Sequence, residues 1–282
     1  MKYLIAITLF FTSHFLMAQS GNRLFDEMPG MVSYTYRHSF EKDVAATLDT
    51  LQRMGIKDME FSNLFGKSAE EMRRMLDDRG MYCSSYGVGY EDLVDKTEEV
   101  AENAKILGAS FVRVAWIPHD APFDVEVANN AIADFNKAGK DLKENHGLTF
   151  CYHNHGYEFH PYQDGTLFDH MVQKTNPEWV SFEMDILWVH FPGADPVALL
   201  EKYPDRFKLM HLKDLKKGVK GDLSGSTSVE NNVALGEGQL DMPAILRAAK
   251  RANILHYYIE DESSRYYMQV PHSIQYFKNV RK

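Results

Sequence analysis

Apolar runs of four to eight residues follow one another through the chain, and most lead into a stretch whose apolar residues fall at helical spacing. The runs lie near 31–36 (MVSYTY), 57–61 (KDMEF), 81–87 (MYCSSYG), 110–116 (SFVRVAW), 148–154 (LTFCYHN), 179–185 (WVSFEMD), 206–212 (RFKLMHL) and 255–260 (LHYYIE). Helical patterns fill the gaps near 41–54, 68–79, 91–107, 126–144, 166–175, 195–203 and 241–252, with a last short one near 272–280. Strands separated by single helices are parallel neighbours, because the crossover returns the chain to the same edge, and eight such units close into a barrel. The expectation is an α/β fold made of one (β/α)₈ barrel. A doubly wound open sheet is the competing architecture, and against it stand Tyr36, Arg37, His38 and Ser39 where such a sheet carries a glycine-rich phosphate turn. The one long irregular connection, 213–238, has a length usually associated with function or mobility.

The barrel reading sets aside the first eighteen residues. Lys2 precedes an uncharged, mostly apolar run from Tyr3 to Met17 that ends at Ala18, before the polar Gln19, Ser20, Gly21 and Asn22. This is the profile of a signal peptide over 1–18, with an uncleaved anchor as the alternative, and it places the barrel over 19–282 in a secreted or periplasmic protein with no membrane attachment after cleavage. The remaining length is close to the ~250 residues of a barrel of this kind. The net charge of −9, one unit more negative without Lys2, repels polyanions and disfavours nucleic-acid partners. Cys83 and Cys151 lie inside apolar strand-like runs and read as buried free thiols, although an exporting compartment would permit a disulfide.

Catalytic side chains of such a barrel come from the C-terminal ends of its strands, and polar residues collect there. The fifth run leads into His153, Asn154, His155 and then Glu158; the sixth ends in Glu183 and Asp185; the seventh in His211, Lys213 and Asp214; the eighth in Glu260, Asp261 and Glu262. Several acids and imidazoles after buried strands would be poorly solvated unless a cation or substrate bound among them. The mixture suits one divalent ion, Mn²⁺, Zn²⁺, Co²⁺ or Mg²⁺, with each of the four strand ends offering a potential ligand. Tyr36 and His38 after the first strand, Glu60 on the second, and Arg113 and Trp116 on the fourth are candidate substrate contacts, with Trp116 the best placed to stack on a sugar face.

The segments FCYHNHGYEF, FEMDILWV, LMHLKD, ALGEGQLD and YYIEDE resemble, in order, the signature segments of the xylose-isomerase-like TIM barrel superfamily, and the resemblance runs from about residue 30 to the C-terminus. That group contains sugar and sugar-phosphate isomerases and epimerases, inosose dehydratases and an apurinic endonuclease. The resemblance implies one divalent metal held after strands five to eight, with Asp185, His211 and Glu260 on three of the four ligand positions. On the fourth, where isomerases and epimerases commonly carry Glu, this chain has His153, and Glu158 is the alternative. The HNH-type fifth strand is similar to those of dehydratase and lyase branches. A homodimer is also consistent with the family.

The implied chemistry is loss of a C–H proton beside a carbonyl to give an enediolate, with His153 or His155 as general base, Glu260 as a catalytic carboxylate, and Lys213 placed to neutralise an oxyanion or protonate a leaving group. Return of the proton gives an isomerase or epimerase; loss of a β-substituent gives a dehydratase or lyase of a keto-sugar or 3-keto-glycoside. Export favours a non-phosphorylated carbohydrate over sugar phosphates. A non-catalytic carbohydrate-binding barrel is the reading from another class.

Overall fold

In the computed structural model, which describes residues 23–282, eight strands pair only with their parallel neighbours and the last closes onto the first. They are β1 (Gly30–Val32), β2 (Asp58–Phe61), β3 (Tyr82–Val88), β4 (Phe111–Val114), β5 (Thr149–His153), β6 (Val180–Asp185), β7 (Phe207–Leu212) and β8 (His256–Ile259). The expected signal peptide over 1–18 lies outside the described residues. No helix among the described residues is long and apolar enough to cross a membrane.

Successive side chains of a strand point to opposite faces, and this parity sorts the barrel. On β5, Phe150 and Tyr152 join the large apolar layer under the helices, whereas Cys151 belongs to a separate cluster with Val32, Phe111, Leu209 and Tyr258 that plugs the interior. Continuing the parity along β5 to β8 puts His153, Glu183, Asp185, His211 and Glu260 inside, above that plug, and all five are buried. The apolar plug thus lies under the ionisable set, and below it Asp58 and His256, 2.6 Å apart, close the other end of the interior. Both cysteines are free and buried.

Many acids that follow strands have a local task. Asp43, Asp124, Asp195 and Asp241 accept hydrogen bonds from backbone N–H groups at helix starts, and Ser68 with Glu71 forms a capping box.

Three expectations need correction. The first run is a strand only to Val32, after which Ser33–Tyr36 winds into a 3-10 turn, because Ser33 Oγ accepts from the Ser62 N–H and Thr35 Oγ1 from the Asp261 N–H, drawing the chain across the barrel mouth. The 213–238 connection contains a short antiparallel ribbon, Asp214–Leu215 against Asn232–Val233. The last helix begins at Tyr266, not near 272, and carries Pro271 inside it, so its pattern was legible only beyond the proline.

Candidate metal centre and active site

His153, Asp185, His211 and Glu260 each bring one potential ligand atom into a space where all four lie within 4.8 Å of one another. His153 Nε2 is 3.9 Å from Asp185 Oδ2, and His211 Nδ1 is 2.7 Å from Glu260 Oε2. Asp185 Oδ1 accepts the Trp188 N–H at 3.0 Å, capping the helix that follows β6, while its buried Oδ2 has no hydrogen-bond partner. An orphaned carboxylate oxygen facing two imidazoles and a second carboxylate is what a divalent cation satisfies, so these residues fit such an ion. Nothing soft enough to favour a monovalent copper site is present in this donor set.

A second layer lies beneath. Glu60 Oε1 is 2.7 Å from His211 Nε2, and His153 Nδ1 is 3.0 Å from Glu183 Oε2. Each histidine therefore commits one ring nitrogen to a buried carboxyl and turns the other toward the ligand group, an arrangement that fixes ring orientation. Arg113 Nη2 donates to Glu60 Oε1 at 2.8 Å, its Nε lies 3.4 Å from Glu183 Oε2, and Ser85 Oγ donates to Glu60 Oε2 at 2.6 Å. Glu60, Glu183 and His211 also form a compact group, but with the guanidinium against both acids it has its cation already.

The carboxyls respond differently to burial. Burial acts to raise the Glu60 carboxyl, yet Arg113 and His211 together outweigh it and bring it down to about 2. Glu183 is pushed well above the usual range by burial and by the Glu60 charge. Burial also lifts Asp185 to about 7 against the pull of Lys213. Glu260 is lowered, since Lys213 and His211 override its burial. Burial and the nearby Lys213 ammonium depress His155 to about 3, so its imidazole is neutral at physiological pH.

Several candidates from the sequence fall elsewhere. Glu158 is not among the metal donors: its carboxylate accepts from Tyr152 Oη and from the His155 N–H, the latter at 3.0 Å, because the turn after β5 folds it back under the strand end. Tyr36 is buried, with its ring edge-on to Tyr266 and its hydroxyl toward Met54 Sδ. His38 is exposed on the next helical turn and pairs with Glu41 at 3.3 Å. Neither lines the cavity. Glu60 and Arg113, expected as substrate contacts, are committed to the layer under the metal donors, although Arg113 still lines the cavity floor. Lys213 is fully buried and bonds Glu262 at 2.5 Å and Glu260 at 3.3 Å. The neighbouring Asp214 instead accepts the N–H groups of Leu215, Gly236, Gly238 and Leu240, which pins the long connection to β7. A Cβ on Gly238 would lie 2.0 Å from that carboxylate, so the glycine is required by close approach. HLKD and GEGQLD are therefore two halves of one anchor.

The cavity above the donors has a volume of about 480 Å³ and is lined by His153, His155, His211, Glu260, Glu262 and Trp116 among others. Glu183 stood out in the sequence as a strand-end acid, yet its place under His153 was legible only from its shared parity with Asp185. No sequence signal marked Tyr34 or Tyr90, which also line the cavity.

Residues 48–278 match the family model of the xylose isomerase-like TIM barrel. The chain belongs to that family. An inosose dehydratase from Geobacillus kaustophilus is 23% identical over 215 residues, covering 69% of this chain and 67% of that protein. A sugar phosphate isomerase/epimerase from Parabacteroides distasonis superposes with a TM-score of 0.72 at 24% identity, over 89% of this chain and 93% of its own. The IOLI protein, whose crystal structure holds a zinc atom, superposes with a TM-score of 0.70 at 15% identity over 90% and 96% of the two chains. At these identities the superpositions show the shared barrel.

Glu158 gives a prediction independent of any ligand. Burial raises its carboxyl from 4.5 to about 7, so the folded state holds this proton more tightly than the unfolded chain. Stability present below pH 4.5 is then lost as pH rises through 7, a change of up to about 3 kcal/mol for this one group. Glu158→Gln is expected to flatten the dependence of the urea midpoint on pH across that window and to exceed the wild type above pH 7. Parallel curves for the two proteins would remove this account.

Proposed function

We propose that the chain is a metal-dependent lyase that eliminates a β-substituent from a neutral keto-sugar or keto-polyol. The observation that carries the reading is the asymmetry of the centre. The fifth strand brings His153 where a second acid would be needed to work on both faces of a substrate, and Glu260 is committed on both oxygens, Oε2 to His211 and Oε1 to Lys213. Besides Asp185 Oδ2, two buried acceptors near the donors have no hydrogen-bond partner, His155 Nδ1 and Glu183 Oε1, and of these two only His155 lines the cavity. One base with a fixed cation nearby suits elimination better than exchange of a proton between two faces.

A divalent ion held by His153, Asp185, His211 and Glu260 would supply Lewis-acid polarisation of the keto oxygen. Neutral His155 takes the proton from the carbon beside the carbonyl. The electron pair of that C–H bond becomes the new C=C bond, and the β-substituent leaves with its bonding pair. The proton on His155 then passes to the departing oxygen, which restores the imidazole and releases water or an alcohol. Lys213, held cationic by Glu260 and Glu262, stabilises negative charge developing beside it.

Neutrality of the substrate follows from the lining. Arg113 and Lys213 are each bound to two carboxyls, and Glu91, Glu260 and Glu262 face the same cavity. A phosphate would meet acids and no uncommitted cationic side chain there. The naming of curated relatives as inosose dehydratases supports the lyase reading, and the N-terminal run supports export.

The test is incubation of the metal-loaded protein in D₂O with an inosose and with 3-keto-glucosides, followed by NMR. Elimination product together with deuterium at the carbon beside the carbonyl is expected. Interconversion of epimers or ketoses without elimination would replace the lyase by an isomerase. Absence of both exchange and turnover would leave a carbohydrate-binding barrel.

A further inference from the structure

Two large aromatic side chains stay exposed at the rim of the cavity that holds the metal donors, Trp116 at 47% and Tyr34 at 40%. Exposed rings of this size are common singly on surfaces, but two on one cavity rim mark a binding surface. Both are held in place. The Arg37 guanidinium lies 4.4 Å over the Tyr34 ring and donates to the Tyr34 carbonyl. His119 stacks on Trp116 with ring centres 5.3 Å apart, and His155 and Tyr157 meet it edge-on at 5.4 and 4.9 Å. Tyr157 in turn anchors the segment after β4, its hydroxyl accepting the Ile117 N–H at 3.0 Å. The platform is thus ordered before any ligand arrives, which lowers the entropic cost of stacking on it.

Trp116 is not next to the metal donors. Its ring is followed inward by His155, then by His153 at 4.8 Å from His155, then by His211 at 4.6 Å from His153. A ring reacting at His153, His155 and Glu260 therefore leaves the Trp116 surface for whatever is attached to it. The outer wall adds the carboxylate of Glu91 and the partly buried Tyr90, whose hydroxyl is committed to Asp134. An aromatic face beside carboxylate acceptors matches the apolar C–H face and hydroxyl edge of a second sugar, or the ring of an aryl aglycone.

We propose that the mouth is a second-ring subsite, with Trp116 and Tyr34 as its platform, so that the substrate is a glycoside and not a free monosaccharide. This rests on the carbohydrate reading above and names its substrate class. In the elimination, the bond broken is then the one joining the reacting sugar to the ring on the platform, and the alcohol released is that ring.

The experiment is titration calorimetry of the metal-loaded protein with unreactive probes: glucose, cellobiose and phenyl β-glucopyranoside. Cellobiose and the phenyl glucoside are expected to bind about 10-fold more tightly than glucose, in keeping with ~0.5–1.5 kcal/mol for an aromatic contact. In Trp116→Ala the ratio of glycoside to glucose affinity falls to near one, in Tyr34→Ala it falls part of the way, and Trp116→Phe restores most of it. Melting temperatures alongside confirm that each variant is folded. Glucose binding with no gain from the second ring, or a gain that survives Trp116→Ala, would overturn the subsite while leaving the carbohydrate reading in place. Failure of all three sugars to bind would overturn that reading, and the subsite with it.

Discussion

Asp185→Asn is expected to keep the fold and lose the metal. The variant retains the shape of the side chain and the Oδ1 that caps Trp188, so the helix after β6 starts as before. What it removes is the charge on Oδ2, the buried oxygen without a partner. Loss of an outer hydrogen-bonding partner of a metal ligand typically costs ~10–100-fold in affinity, and loss of an anionic donor from the set exceeds that. Calorimetric titration with Zn²⁺ or Mn²⁺ should therefore show a decrease beyond roughly 100-fold, and elemental analysis of the purified variant should find the ion missing where the wild type holds it. Because a buried carboxyl lifted to about 7 destabilises the metal-free fold once ionised, the metal-free variant should melt no lower than metal-free wild type at pH 8. An Asn variant that binds the ion as tightly as wild type would show that Asp185 is not a donor.

The second large effect belongs to Arg113, which touches both buried acids of the lower layer. Arg113→Met fills a similar volume and leaves Glu60 and Glu183 with His211 as their one remaining cationic partner. Breaking a buried pair from one side costs ~3–5 kcal/mol, because a desolvated charge is stranded. Urea denaturation at pH 7 should show a loss of that order. Adding Glu60→Gln removes the stranded charge and should recover part of it, whereas the same change in the wild-type background should destabilise. Equal stability of wild type and Arg113→Met would mean that the two acids share a proton and need no counter-ion.

The barrel and the strand-end positions of His153, Asp185, His211 and Glu260 were legible because both follow from local rules, whereas the ligand set came from the family resemblance and left His153 and Glu158 as alternatives for the fourth place. Alternation of runs and helical patterns gives the strand order, and period-two parity puts Asp185, His211 and Glu260 on the interior of consecutive strands. Glu60 and Arg113 were read as substrate contacts because their strand ends point into the same cavity, and nothing local says that Glu60 on β2 meets His211 on β7, 151 residues later. That contact exists only once the cylinder closes. Tyr36 and His38 were misplaced because a 3-10 turn replaced the end of a strand, and Glu158 because a turn of three residues reversed its direction. In each case the residue type was informative and the path of the backbone was not.

The closure of the barrel also has a bearing on how the protein is made. The wall that emerges first from the ribosome, β1 to β4, carries Glu60 and Arg113, an acid and a base that satisfy one another at 2.8 Å. The wall that follows carries Glu183, Asp185 and Glu260 with His211 and Lys213; Lys213 balances Glu260 within that wall, whereas Glu183 meets a guanidinium only on Arg113 of the first wall. Vectorial synthesis thus presents the Glu60–Arg113 pair first and delivers Glu183 onto it. A chain arrested after β4 would leave Asp58 without His256 and a fragment beginning at β5 would leave Glu183 without Arg113, so complementation between the two pieces should restore both contacts.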